Sequence, residues 1–340
     1  MVRVALDLLG GDSAPEQVVD GALLVADEQG GTQVVLVGPT EVAARLLEER
    51  GAAGRFEVVP ASQVVGMAED AARAVRTKRD ATIRVAARLV RDGSADAFVS
   101  VGSTGAALAA AVFTLGRLRG VGRPALAVVI PAKAGPLVFL DAGASVDATP
   151  DLLAQYALAG AALAQVRLGL PSPRVGLLTI GEEPGKGDQL RKQADVLLAG
   201  LPIDYVGSVE GRDVPHGGVA DVVVTDGFTG NVLAKGLEGA ASMLTEVILA
   251  AFTSTPERRE AARALRPALA EVTDAMSPDA FGGAFLLGVR GVCVVGHGAS
   301  SPRAVASCVA MAAQAVREGL VPRIAGALGE LVDRRASVAP

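Results

Sequence analysis

The sequence has no tryptophan, and its aromatic residues are only eight Phe and two Tyr among 340. That scarcity removes the stacking platforms on which single-stranded nucleic-acid modules depend. Positive charge is also short. Against 37 Asp and Glu stand 32 Lys and Arg, for a net charge of −5, and no block of five like charges occurs. Without a basic stripe the chain has no footprint for a duplex, so nucleic acid is not an expected partner. Two cysteines, Cys293 and Cys308, support neither a disulfide framework nor a tetrahedral zinc site. With only His216 and His297 beside them, no metal site is expected. No apolar stretch of about 18 residues is free of charge and turn signals, and the N-terminus lacks the apolar run of a secretory signal. The expected location is cytoplasmic.

What the sequence does have is apolar residues, 50% of the chain, enough for a sizeable core. Short β-branched runs at 2–7, 33–37, 56–59, 96–101, 125–130, 137–141, 174–179, 219–225 and 291–295 alternate with helical patterns. Among the latter are 15–29, 40–49, 104–118 and 150–168. The alternation predicts an α/β fold with a largely parallel sheet and helices on both faces, as a single domain over residues 1–340. Continuously apolar runs such as that at 125–130 suit strands covered on both sides. Residues 231–280 break the rhythm. A helix at 231–252 is followed by a second one to about 274, interrupted or kinked at Pro267. Over 252–276, Phe252, Leu265, Leu269, Val272 and Met276 stand beside Arg258, Arg259, Arg263 and Arg266. This two-helix excursion suits a dimer seam, an interfacial helix or an ordinary amphipathic core helix.

Ligands of open α/β sheets bind beyond the carboxyl ends of the strands. The loops there are rich in glycine: Leu8-Leu9-Gly10-Gly11-Asp12, Gly102-Ser103-Thr104-Gly105, and residues 142–147 after Asp141. The others are the run from Gly181 through Lys186 to Gly187, the run from Asp226 through Thr229 and Gly230 to Asn231, and Gly296-His297-Gly298. Glycine lets backbone amides approach a ligand, and helix N-termini add unpaired N–H groups and positive potential. Six such loops at one sheet edge predict a shared anion site, with phosphate the best-suited ligand. Near-misses narrow the chemistry. The 181–187 loop is one residue short of a Walker A loop and places Gly187 where Ser or Thr would bind Mg²⁺. Gly296-His297-Gly298 with Ser301 mimics a dinucleotide fingerprint, but no strand and acid follow to read a ribose.

In combination these motifs resemble the bacterial phosphate acyltransferases, the PlsX family of acyl-[acyl-carrier-protein]:phosphate acyltransferases. The likeness spans essentially the whole chain. It rests on Ala5 through Asp12, the basic run Arg73–Lys78, Arg123 with Pro124, Val146-Asp147-Ala148, Gly181 to Gly187, Asp221 to Asn231, Gly282-Gly283-Ala284 with Leu287-Gly288, and His297-Gly298. Departures are Leu8-Leu9 for Ala-Met, Ser103 for Asn, Ala81-Thr82 for Ser-Ser, Phe281 for Tyr and Ala299 for Ser. The resemblance implies a fold similar to phosphotransacetylases and isocitrate-dehydrogenase-like enzymes. It also implies transfer of a long-chain acyl group from acyl carrier protein to inorganic phosphate, with no cofactor. A homodimer, peripheral membrane association and a membrane glycerol-3-phosphate acyltransferase that takes the product are implied too.

On this reading Gly10, Gly11, Asp12, Ser103, Thr104, Gly105 and Gly298 surround phosphate. Gly181, Gly187, Thr229 and Gly230 form a second rim. His297, Lys186, Asp226 and Asn231 are the candidate catalytic residues. His297 polarises the carbonyl or protonates the leaving thiolate, or else fixes a turn. Asp12 and Asp226 orient a donor or cap helices, and Lys186 balances charge or pairs with Glu182 or Glu183. Arg76 and Lys78 are the candidate docking residues for the acidic carrier. Cys293, mid-strand between valines, reads as a buried hydrophobe. Two other classes stay open. One is an NAD(P)-dependent dehydrogenase of the related fold, and the other is a non-catalytic scaffold for carrier protein or membrane.

Overall fold

In this computed structural model all residues are described except 29, 30, 182, 184, 277–281 and 339–340, with side chains undescribed at 269–276 and 334–338. The first half alternates strictly: β1 (Val2–Asp7), α1 (Glu16–Asp27), β2 (Thr32–Gly38), α2 (Thr40–Glu49), β3 (Glu57–Pro60), α3 (Ala71–Thr77), α4 (Thr82–Arg91) and β4 (Ala97–Ser100). Next comes α5 (Thr104–Ala110), whose last turn widens to a π-helix at Ala111–Leu115, so the helix expected over 104–118 ends earlier and irregularly. The hairpin of β5 (Ala125–Ile130) and β6 (Leu137–Leu140) leads into α6 (Pro150–Leu168), β7 (Arg174–Thr179), α7 (Gln189–Ala199), β8 (Asp204–Glu210), α8 (Asp213–His216) and β9 (Val222–Val224). The helical pair α9 (Gly227–Thr253) and α10 (Pro256–Met276) precedes β10 (Ala284–Leu287), β11 (Val292–Val295), α11 (Pro302–Arg317) and α12 (Leu320–Val338). α10 runs through Pro267 without interruption.

All eleven strands join one sheet, in the order β3-β2-β1-β4-β11-β10-β5-β6-β9-β7-β8. Seven of its ten pairings are parallel, so the sheet is largely parallel as expected. The three antiparallel pairings, β11–β10, β10–β5 and β5–β6, decide where ligands go. Strands β1 to β4 and β11 point one way, and β6, β7, β8 and β9 point the other. The six glycine loops therefore do not share an edge. Those after β1, β4 and β11 gather at one edge, and those after β6, β7 and β9 at the opposite one. Between β5 and β6 lie only six residues, 131–136, too few for a parallel crossover of a dozen or more.

Strand alternation sorts the core into layers. Val4 and Leu6, Val99, Val294, Phe285, Ala127, Val138, Val224 and Leu177 face one continuous layer with α1, α2, α6, α7, α11 and α12. The other face is divided. Phe98, Leu286 and Val295 pack under α3, α4 and α5. Leu126, Phe139 and Val223 pack with Val214, Leu233 and Leu237 of α8 and α9. The divide runs along β10, whose Leu286 belongs to one cluster and Ala284 to the other. Ala144, in the loop after β6, touches both clusters. A groove between two half-layers is the natural place for a ligand.

Candidate active site

The first loop cluster is built on a buried carboxyl. Asp7 ends β1, and its Oδ2 accepts from the Ser100 hydroxyl at 2.7 Å while Oδ1 accepts from the Leu9 amide at 3.3 Å. Ser100 Oγ in turn accepts from the Gly102 amide at 3.2 Å. Burial pushes the Asp7 carboxyl above its usual range, against the pull of hydrogen bonds from Thr82 and Ser100. Gly10 lies so close to this pair that a Cβ would sit 2.8 Å from both Asp7 Oδ2 and Ser100 Oγ. Gly11 adopts φ +107°, a conformation that favours glycine. The Asp12 amide donates to the Gly298 carbonyl at 2.8 Å and the Gly296 amide to Ser100 O at 2.9 Å. These bonds bring Gly10, Gly11, Asp12, Ser103, Thr104, Gly105, His297 and Gly298 onto one rim.

Two helices open onto it, each with a neutral cap. Ser103 accepts from the Ala106 amide at the start of α5, and Ser301 from the Ala304 amide at the start of α11. The His297 side chain is 61% exposed, and its Nε2 faces Glu238 Oε1 of α9 at 3.9 Å. Its Nδ1 accepts from the Ala299 amide at 3.2 Å, which puts the proton of the neutral ring on Nε2.

The second cluster has a different character. Asp141, fully buried at the end of β6, accepts from four backbone amides: Leu126 at 2.9 Å, Gly143 at 3.0 Å, and Ala144 and Ser145 at 2.8 Å each. Burial outweighs these donors and pushes its carboxyl up. α9 presses on this loop, since a Cβ at Gly230 would lie 1.9 Å from Asp141 O. Asn231 Nδ2 donates to Ala142 O at 3.1 Å, tying α9 to the same loop. Asp226 caps α9, accepting from the Thr229 amide at 2.9 Å and hydroxyl at 2.8 Å. It also pairs with Arg191 of α7, whose side chain is 12% exposed against 8% for Asp226. Burial pushes Asp226 up, but Thr229 and the Arg191 guanidinium prevail and hold it below the usual carboxylate range. Arg191 also donates to the hydroxyls of Thr225 at 3.2 Å and Thr229 at 3.1 Å, and to Asp188 at 2.9 Å. Lys186 is exposed, with its ammonium 3.8 Å from Glu183. Gly181 and Gly187 flank it, and Glu182 lies outside the described residues.

The expected single site thus becomes two clusters at the ends of the divided face, bridged by α9. That helix starts at Asp226 and brings Glu238 opposite His297. From Asn231 to Glu238 it rises about 10 Å at 1.5 Å per residue. Of the expected docking residues, Lys78 is already engaged, donating to Val64 O at 2.8 Å and Glu69 at 2.5 Å. Arg76 lies exposed, 4.6 Å over the Phe113 ring. Cys293 is buried in β11, and burial pushes its thiol up, as befits an inert core residue. Asp7, Asp141 and Arg191 hold the clusters together and were not singled out by sequence reasoning. A carboxylate ending an apolar strand was the available signal for the first two.

Comparison with known proteins places the chain. The family model described as fatty acid synthesis protein matches residues 2–323. The phosphate acyltransferase of Desulfitobacterium hafniense strain Y51 is 43% identical over 324 residues, covering 95% of this chain and 96% of that protein. That of Bacillus cereus strain G9842 is 41% identical over 332 residues, covering 96% and 98%. In fold the chain is similar to a phosphotransacetylase from Streptococcus pyogenes, with TM-score 0.64 and 17% identity over 93% of this chain and 94% of that one. A branched-chain phosphotransacylase from Enterococcus faecalis gives 0.57 at 17% identity, over 93% and 99%. The chain belongs to the phosphate acyltransferase family and is an acyltransferase enzyme built on a phosphotransacetylase-like fold.

Proposed function

We propose that the enzyme transfers a fatty acyl group from the thioester of acyl carrier protein to inorganic phosphate, giving acyl phosphate and the free carrier thiol. The contrast between the helix caps is the observation that carries the placement of phosphate. At the first cluster two helix N-termini are capped by neutral serines, leaving their positive potential for an anion. At the second, α6 has the neutral cap Thr149, but α7 and α9, whose starts carry the Lys186 and Asn231 loops, are capped by the carboxylates Asp188 and Asp226, which already neutralise those helix ends. Phosphate is therefore assigned to Gly10, Gly11, Ser103, Thr104, Gly105 and Gly298. The Asp12 carboxylate, lying over Gly298, orients the loop rather than contacting the anion.

A thioester carries its own activation, so a phosphate oxygen attacks the acyl carbon directly. The new bond is P–O–C, the C–S bond breaks, and a proton goes to the departing sulfur. Holding both reactants together supplies roughly 7–11 kcal/mol of the barrier, and each donor aimed at the developing oxyanion about 3–4 kcal/mol. His297 Nε2–H, facing the groove, is the donor to the carbonyl oxygen or the sulfur. The second cluster takes the rest of the donor. Lys186 lends charge from its exposed position, Asn231 holds the β6 loop on α9, and exposed Val146, Ile180 and Phe228 offer apolar surface to the chain.

The α9–α10 hairpin leaves Met243, Leu244, Val247, Ile248 and Leu249 exposed. We assign this face to a second copy of the chain and to peripheral contact with the membrane that takes the product. No single helix among the described residues is long and apolar enough to cross a membrane.

Purified enzyme given palmitoyl carrier protein and inorganic phosphate should release carrier thiol in proportion to phosphate, without nucleotide. Thiol release that ignores phosphate, or none at all, would refute the acceptor and favour a binding scaffold. Lys186→Ala should raise KM for the acyl donor severalfold, with kcat and the unfolding midpoint unchanged. An unchanged KM would remove Lys186 from the site.

A further inference from the structure

One cavity stands apart from the groove. It has a volume of about 380 Å³ and is lined by Arg167, Leu168, Leu170, Arg174, Ala220 and Asp221, among others. Two of its charges are matched. Arg174 grips Asp221 through Nη2–Oδ1 at 2.9 Å and Nε–Oδ2 at 3.1 Å, and gives Nη1 to Gly218 O at 2.7 Å. Arg167, in the last turn of α6, is not matched. Among the described residues its Nη1 donates to Gln314, its Nε is buried without an acceptor, and it makes no ion pair with a carboxylate. Burial pushes its guanidinium pKa down, and no anion opposes the shift. Arg167 is half-buried, and a cation partly withdrawn from water without a counter-charge weakens a fold unless something answers it.

We propose that this cavity binds a small organic anion, a carboxylate or phosphate monoester with a short apolar body, whose acid group pairs with Arg167. With Nε enclosed and Nη1 given to Gln314, the guanidinium has Nη2 to offer to either oxyanion. Arg174 and Asp221 cancel, so the cavity carries one net positive charge. Leu168, Leu170 and Ala220 give the apolar wall, and the volume suits a ligand at the small end of the usual pocket range. The site is separate from the acyl-transfer groove. The loops after β6, β7 and β9 lie a strand length away, about 20 Å along β7. The β11 loop lies four strands from β9, about 19 Å across the sheet. The assignment does not depend on the identity of the acyl donor.

The test compares the intact enzyme with Arg167→Gln and Leu170→Trp in phosphate-free buffer, by calorimetry and thermal unfolding. Hexanoate and n-butyl phosphate are the probes, and n-hexanol is the uncharged control. In the wild type at least one anion should bind saturably and raise the unfolding midpoint, while hexanol does not; the stronger of the two names the acid group. Arg167→Gln should weaken that binding at least tenfold. Without ligand it should raise the midpoint by about 1–3 °C, because an unmatched, half-buried charge is gone. Basal acyl transfer should stay within twofold. Leu170→Trp should block the anion with Arg167 still present. The proposal is overturned if neither anion binds saturably, or if binding is the same in both variants. It is also overturned if Arg167→Gln lowers the ligand-free midpoint, the result expected of a residue that only stabilises the carboxyl end of α6.

Discussion

Replacing His297 by alanine should lower kcat by roughly 10²–10⁴-fold, the usual contribution of a positioned general acid, and leave the unfolding midpoint where it is. The second half follows from the loop. Its shape is held by backbone bonds that do not need the imidazole: Asp12 N to Gly298 O, Gly296 N to Ser100 O, and Ser300 N to His297 O at 2.8, 2.9 and 3.0 Å. The first half follows from the ring. With Nδ1 occupied by the Ala299 amide, only Nε2 is turned to the groove. Glu238 faces that nitrogen from α9 at 3.9 Å. Steady-state turnover with carrier thioester and phosphate, with thermal unfolding of the same protein, reads both effects. A His297→Ala enzyme within twofold of the parent would leave the ring as a turn residue.

Much of the fold is legible in the sequence, and the reasons are local. β1, β5 and β7 have the expected bounds, because each is a mainly apolar, β-branched run followed by a polar or glycine-rich turn. α2 and α6 do as well; α6 is framed by the Thr149 cap, Pro150 in its first turn and Gly169 in the left-handed conformation. β8 escapes notice because it is an edge strand with alternating exposure and a glycine at φ +87°. β10 is four residues long and follows two glycines. Strand direction is the larger miss, and it cost the single-edge site. Alternation of strands and helices favours one direction throughout, and only the short connections 131–136 and 288–291 betray the reversals. Within the site, glycine turns and helix caps are visible because they are contiguous. Their supports are not, since Asp7 reaches Ser100 across 93 residues and Arg191 reaches Asp226 across 35. A partner that far away in the chain leaves no spacing to read.

Asp141 is a sensitive position for stability, because one buried carboxyl holds its own loop and the start of β5 together. Asp141→Ala should destabilise the fold by roughly 4–6 kcal/mol, because four backbone amides lose their acceptor where water is scarce and each orphaned group counts for about 1–3 kcal/mol. Against a typical total of about 5–15 kcal/mol, much of the protein's stability would go. Asp141→Asn should be far milder, about 1–2 kcal/mol. Its remaining oxygen can keep the Leu126, Gly143 and Ala144 amides on Oδ1, while its NH₂ opposes the Ser145 amide that Oδ2 now accepts from. The pH dependence gives a second reading. Burial raises the carboxyl of Asp141 above the ordinary range of an aspartate, so between the ordinary value and the raised one the folded state holds more protons than the unfolded. Stability from this group is then fullest at acid pH and declines as pH rises through the folded value. Asn does not titrate, so the deficit of Asp141→Asn relative to the parent should be larger at acid pH than at pH 7. Because the Asp141 loop carries Gly230 and Asn231 on its back, the asparagine enzyme should also lose turnover while still folded. Urea unfolding at the two pH values, with activity on the folded fraction, tests all three expectations. An alanine variant within about 1 kcal/mol of the parent would mean that the four amides find other acceptors, and that the second cluster does not hang on this carboxyl.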